Sequence, residues 1–102
     1  MMETIDLVQI TITGDHNEST ELTFGSAQLV IVHEYGSKQW YVDLSNAGPA
    51  ELLNHYYVSD NIAIRMTASS RDGRTYRGTA YVHANVPRQA CVIRGDDELT
   101  IS

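Results

Sequence analysis

A single cysteine, Cys91, among 102 residues excludes any disulfide within the chain. That residue reads as a small apolar packing group rather than a reactive thiolate. Positive charge is scarce in the first half: residues 1–51 hold eight acids and one base, Lys38, a balance of −7. Residues 52–102 hold five acids and six arginines, a balance of +1, so the whole chain carries −6. Net acidity argues against a general nucleic-acid binder, which depends on neutralising phosphates, but it leaves room for a local basic patch. The asymmetry between the halves suits self-association or docking. No apolar run is long enough to cross a bilayer, and "MMETIDLVQI" lacks a basic segment followed by an apolar secretory core. The expectation is a soluble protein without membrane contact, cytoplasmic, or part of a virion if the chain is phage-derived.

The length suits one β-rich domain over residues 1–102, and 42% hydrophobic residues are enough for a real core. Alternation in "IDLVQITITG" puts Val8, Ile10 and Ile12 on one strand face and Gln9, Thr11 and Thr13 on the other. "DHNEST" reads as a polar turn and "ELTF" as another short strand. In "QLVIVHEY", Leu29 and Ile31 oppose Val30 and Val32, so both faces require cover, from a core, a second layer or another subunit. After a turn at "GSK", "QWYVDL" gathers Trp40, Val42 and Leu44 opposite Gln39, Tyr41 and Asp43.

One helix is expected, in "GPAELLNHYYV". Pro49 suits the first helical position, Gly48 the cap and Glu51 the first turn, while Leu52, Leu53 and Tyr56 form an apolar stripe. Such a helix covers an edge or open end of a sheet. The following "DNIAIRMTASSRDGRTYRGTAYVHA" reads as a hairpin, with Ile62, Ile64 and Met66 alternating on one strand and Tyr76, Gly78, Ala80 and Val82 on the next. A three-residue turn, Arg71–Asp72–Gly73, with Gly73 left-handed, pairs Ser70 with Arg74, Met66 with Gly78 and Ile64 with Ala80. A two-residue turn would put the apolar sets on opposite faces, so burial selects the longer one. "RQACVIRG" and "ELTIS" supply two last strands around an acidic turn. Seven or eight short strands and one short helix, without repeated strand–helix crossovers, point to a mainly β barrel or two-layer sandwich.

Motifs for chemistry are missing. His16, His33, His55 and His83 form no ligand array with cysteine or one another, although His33 and His83 on neighbouring strands near Glu34 would be one way to make a site. Asp96, Asp97 and Glu98 lack the alternating pattern of a calcium loop and read as a solvated turn. Glu18 with Glu21, or Asp96 with Glu98, have no spacing that places them across a substrate. There is no nucleophile elbow and no phosphate-binding glycine loop, and a Cys91–His83 pair requires their strands to meet, whereas simple burial of Cys91 is the stronger reading. The chain reads as a non-enzyme needing no metal or cofactor.

What is present is arginine. Arg65, Thr67, Arg77 and Thr79 share the hairpin's exterior, with Arg71 and Arg74 at its turn. Guanidinium groups suit carboxylate or phosphate recognition, and arginine with tyrosine suits a protein interface. Arg65, Arg71, Arg74, Arg77 and Tyr81 are therefore the candidate partner-binding residues. The competing reading is a solvated, ion-paired surface. A ligand- or nucleic-acid-binding module is the alternative function, and it requires the arginines to converge with Tyr41, Tyr57 or Tyr81 in one groove.

The segment "YRGTAYVHANVPRQACVIRGDDELT" resembles the C-terminal strand pair of some tailed-phage tail-tube and related virion proteins. Tyr76, Gly78, Thr79, Ala80, Tyr81 and Val82 match the first strand phrase, and Gly95 and Leu99 resemble the second. The connection is shorter here, and "GDDEL" replaces a more glycine-rich ending. The resemblance covers about a quarter of the chain and implies a β-rich domain that assembles with itself or with another component of a particle. It carries over no catalytic residue.

Overall fold

A computed structural model describes residues 2–14, 18–34, 36–59, 61–96 and 98–102. The strands are β1 (Met2–Thr13), β2 (Ser19–Leu22), β3 (Ser26–Glu34), β4 (Ser37–Ser45), β5 (Ala63–Ser70), β6 (Thr75–Asn85), β7 (Ala90–Gly95) and β8 (Thr100–Ile101). The helix α1 (Ala50–Val58) follows β4, and a single 3-10 turn (Val86–Arg88) precedes β7. The order β1–β3–β4–β7–β6–β5 closes on itself through β1–β5 pairing, giving a six-stranded antiparallel barrel. β1 and β6 outrun their neighbours: Ile10–Thr13 of β1 pick up β2, and Tyr76 and Arg77 of β6 pick up β8.

Alternation sends one set of side chains inward. Leu29 and Ile31, Trp40, Val42 and Leu44, Ile64 and Met66, Tyr76, Ala80 and Val82, and Cys91 and Ile93 all join one buried cluster. Each large apolar side chain removed from water contributes about 1.5–3 kcal/mol before chain entropy is subtracted. The bulkiest member, Trp40, lies over two positions that lack side chains. A Cβ built on Gly95 would stand 2.3 Å from Trp40 Cε2, and one on Gly78 would stand 2.7 Å from Cζ2. Both glycines are in phase with the inward residues of their strands, so the indole occupies volume that they leave empty.

The hairpin forms as the turn chemistry dictates. Ile64 pairs with Ala80 and Met66 with Gly78, and Gly73 has φ +90°. The Ser70 amide donates to the Arg74 carbonyl at 2.9 Å, which closes the three-residue turn. The inward face of β4 is likewise as expected from "QWYVDL".

Elsewhere the structure corrects the sequence. The β1–β5 register shifts between Leu7 and Gln9, so a bulge brings Leu7 into the core and leaves Val8 exposed. The expected Val8–Ile10–Ile12 face therefore becomes Leu7–Ile10–Ile12. The strand expected at "ELTF" lies two residues earlier, because Ser19–Leu22 pair with Ile10–Thr13. Pro49 is the residue before the helix rather than its first, joined to Gly48 by a cis peptide. Leu53 and Tyr56 are buried but Leu52 only partly, so the stripe is narrower than expected. Of the last two expected strands, β7 joins β4 and β6, while β8 shrinks to Thr100–Ile101 on β6. Val30 is buried on the outer side of β3, next to Thr4 and Tyr41 in register, and Val32 is half-buried.

Candidate protein-docking surface

The outward residues of β5 and β6 make two cross-strand rows. Thr13, Arg65 and Thr79 line up across β1, β5 and β6, and Thr11, Thr67, Arg77 and Thr100 line up across β1, β5, β6 and β8. Each arginine thus stands between threonines, on the diagonal from the other. Thr13, Thr67, Thr79 and Thr100 line, with Ser19 and Glu98, a shallow groove of about 550 Å³ around the two arginines. Arg71 and Arg74 project from the tip of the same hairpin, both exposed.

The turn itself is internally bonded. The Ser70 hydroxyl donates to the Asp72 carboxylate, and the Arg74 amide donates to Ser70 Oγ at 3.2 Å. Arg74 Nε lies 3.6 Å from Asp72 Oδ2. The Ser70 hydrogen bond, aided by Arg74, holds the Asp72 carboxyl below its ordinary value of 3.8 against the opposing effect of desolvation. A carboxyl lowered in the folded state helps the turn above that value, and its help fades as acid protonates it. Arg74 is therefore partly engaged with its own turn.

A third row has no counterpart in the sequence reading. Tyr41, Arg94 and Tyr81 stand side by side across β4, β7 and β6, all facing outward. Arg94 escaped notice because its neighbours come from strands that are remote in sequence. The only available signal was its phase, opposite to buried Ile93. At the end of this row, where β7 parts from β4 after the Tyr41–Arg94 pair, a cleft of about 670 Å³ opens beside Lys38, Trp40 and Glu98. Tyr81 and Arg77 face outward on the same strand, four residues or about 13 Å apart. Tyr57 is exposed on α1 instead, and among the described residues no tyrosine lines the Arg65–Arg77 groove.

Charge is segregated around the barrel. The strands β5, β6 and β7 carry Arg65, Arg77 and Arg94 and no acid, although Asp96 and Glu98 of the segment after β7 line the grooves beside these arginines. β1 to β4 carry Glu3, Asp6, Glu21, Glu34 and Asp43 against one base, Lys38. The asymmetry between sequence halves thus becomes an asymmetry between walls.

The other candidate sites are not brought together. β3 and β6 are separated by β4 and β7, so His33 and His83 are not on neighbouring strands. His33 Nε2 instead approaches Glu3 Oε1 at 3.6 Å. His83 pairs with Val92 and faces out, whereas Cys91 pairs with Ala84 and faces in, which separates the Cys91–His83 pair across the wall. Burial pushes the Cys91 thiol up to about 12, so it stays protonated at neutral pH. We expect no reaction between native Cys91 and a disulfide reagent such as DTNB at pH 8, and one thiol released per chain in denaturant. Rapid labelling of the native protein would contradict that burial.

Among the described residues no three His, Cys, Asp or Glu side chains are grouped to hold a metal ion. His16 and Asp97 lie outside the described residues. The Asp96 amide donates to the Thr79 carbonyl at 3.0 Å, which ties the acidic turn to β6. The Glu21 carboxylate accepts a hydrogen bond from Gln9, while the Glu18 carbonyl accepts one from the Gly14 amide. No helix among the described residues is long and apolar enough to cross a membrane. No family model, curated protein or solved structure matches the chain.

Proposed function

We propose that this chain is a non-enzymatic β-barrel that assembles with other protein through its outer walls. The segregation of Arg65, Arg77 and Arg94 from the carboxylates of β1 to β4 is the observation that carries this reading. Complementary walls of opposite sign speed encounter and fix orientation. Tyrosine and arginine on the β4–β7–β6 wall add the side chains that protein interfaces favour. A particle made inside a cell is the setting that the resemblance at Tyr76–Val82 suggests, with this barrel as a virion component.

Size-exclusion chromatography with light scattering tests the proposal. At low salt the apparent mass should rise above 11.4 kDa as concentration increases, and it should fall back when salt screens the walls. A mass fixed at the monomer value across a roughly thousandfold range of concentration would overturn self-assembly.

The hydroxyl-lined groove around Arg65 and Arg77 favours a second reading, a module for anionic ligands. A small phosphate-bearing ligand such as pyrophosphate that binds at moderate salt and dissociates at high salt would support it. An absence of binding at moderate salt would remove it.

A further inference from the structure

We infer that two copies of this chain join edge to edge, with residues 2–5 of β1 in one copy lying beside residues 37–40 of β4 in the next. The inference rests on the assembly reading above and adds the partner and the contact.

Two strands outrun their neighbours at the same end of the barrel, where Met2 and Gln39 both stand opposite Val32. The pairing of β1 with β5 begins only at Leu7, so residues 2–5 keep β3 on one edge. Among the described residues no strand lies along their other edge. β7 likewise runs beside β4 only over Tyr41 to Leu44, although β4 pairs with β3 from Ser37 onward. Residues 37–40 therefore border the cleft of about 670 Å³ instead of a strand, and Lys38, Gln39 and Trp40 line it. β3 keeps each stretch extended, and its free margin offers the main-chain donors and acceptors that strand addition uses.

Charge decides which edge meets which. Glu3 stands opposite Ile31 and Lys38 opposite His33, so both take the inward phase of the buried Ile31–Trp40 row. Each edge thus carries one exposed charge at the mouth of the barrel. An inward charge guards an edge against its own copy. Two β1 edges would gather two Glu3 carboxylates on one face, and two β4 edges would gather two Lys38 ammonium groups. A β1 edge on a β4 edge sets Glu3 against Lys38 instead. β1 and β4 run in the same direction, since both are antiparallel to β3. Copies that keep the same face outward therefore pair these edges in parallel. With Glu3 beside Lys38, that register brings half-buried Ile5 beside Trp40 within and Thr4 beside Gln39 outside. Asp96 and Glu98 also line the cleft, where Arg94 and Lys38 balance them, so the charge on the edge strand itself selects the neighbour.

Charge reversal tests this. Glu3→Lys and Lys38→Glu should each weaken association about tenfold or more, because either sets like charges side by side. The chain carrying both substitutions should recover most of that loss, since the pair is restored with its signs exchanged. Both positions are exposed and outside the core, so all three chains should melt like the wild type. Crosslinking locates the contact independently. Thr4→Cys alone and Gln39→Cys alone should yield no covalent dimer with a short bismaleimide, while their mixture should yield one. Cys91, 1% exposed, takes no part. Single reversals that associate like the wild type, a double reversal as weak as the single ones, a mixture that gives no covalent dimer, or Thr4→Cys crosslinking to itself would each overturn the edge contact and leave assembly standing. A wild type that never associates would instead remove the assembly reading itself.

Discussion

Gly95→Ala is expected to destabilise the barrel by about 3 kcal/mol, at the upper end of the cost of overpacking a core. The added methyl carbon would lie 2.3 Å from Trp40 Cε2 and 2.5 Å from Nε1. The obstacle is a rigid ring rather than the end of a flexible chain, and Trp40 is only 3% exposed, with little freedom to retreat. For a domain of this size the melting temperature should fall by about 12 °C or more, measured by circular dichroism. Trp40→Phe in the Gly95→Ala background should recover part of the loss, which a double-mutant cycle would register as coupling. Equal melting of Gly95→Ala and wild type would show that the indole does not rest on residue 95.

Two adjacent residues of β7 should separate stability from association. Ile93 is fully buried between Val42 and Val82 in an inward row. Its truncation to alanine should cost about 3 kcal/mol, from lost burial and from the cavity left behind. Arg94→Ala, one residue further on, removes an exposed side chain from the Tyr41–Tyr81 row. It should change stability by about 0.5 kcal/mol or less. Chemical denaturation of the two variants measures both values. A large loss at Arg94 would mean that the outer row helps to hold the wall together, and the wall would then be structural as much as adhesive.

The mainly β fold was legible because its information is local, whereas its closure into a barrel rather than a sandwich depends on β1–β5 pairing. Alternation in "QWYVDL" assigns inside and outside residue by residue, and the Arg71–Asp72–Gly73 turn fixes the hairpin register through a left-handed glycine. The bulge at Leu7–Gln9 was not legible: Leu7 and Val8 are equally apolar, and pairing with β5 decides which turns inward. The same limit applies to the docking surface. Arg65 and Arg77 declare their shared face within one hairpin, whereas the Tyr41–Arg94–Tyr81 row exists only once β7 is inserted between β4 and β6. Gly78 showed its phase in the sequence, but only the folded barrel brings Trp40 against it and Gly95.

The pairing of β1 with β5 has a consequence for the order in which the molecule is made. Residues Leu7–Thr13 find their partners in Arg65–Ser70, after more than half of the polypeptide has been synthesised. Until then the N-terminal meander keeps a bare ribbon margin, and such distant pairings slow folding towards the millisecond-to-second range. A nascent polypeptide stalled before residue 63 should therefore be the most aggregation-prone species this protein passes through.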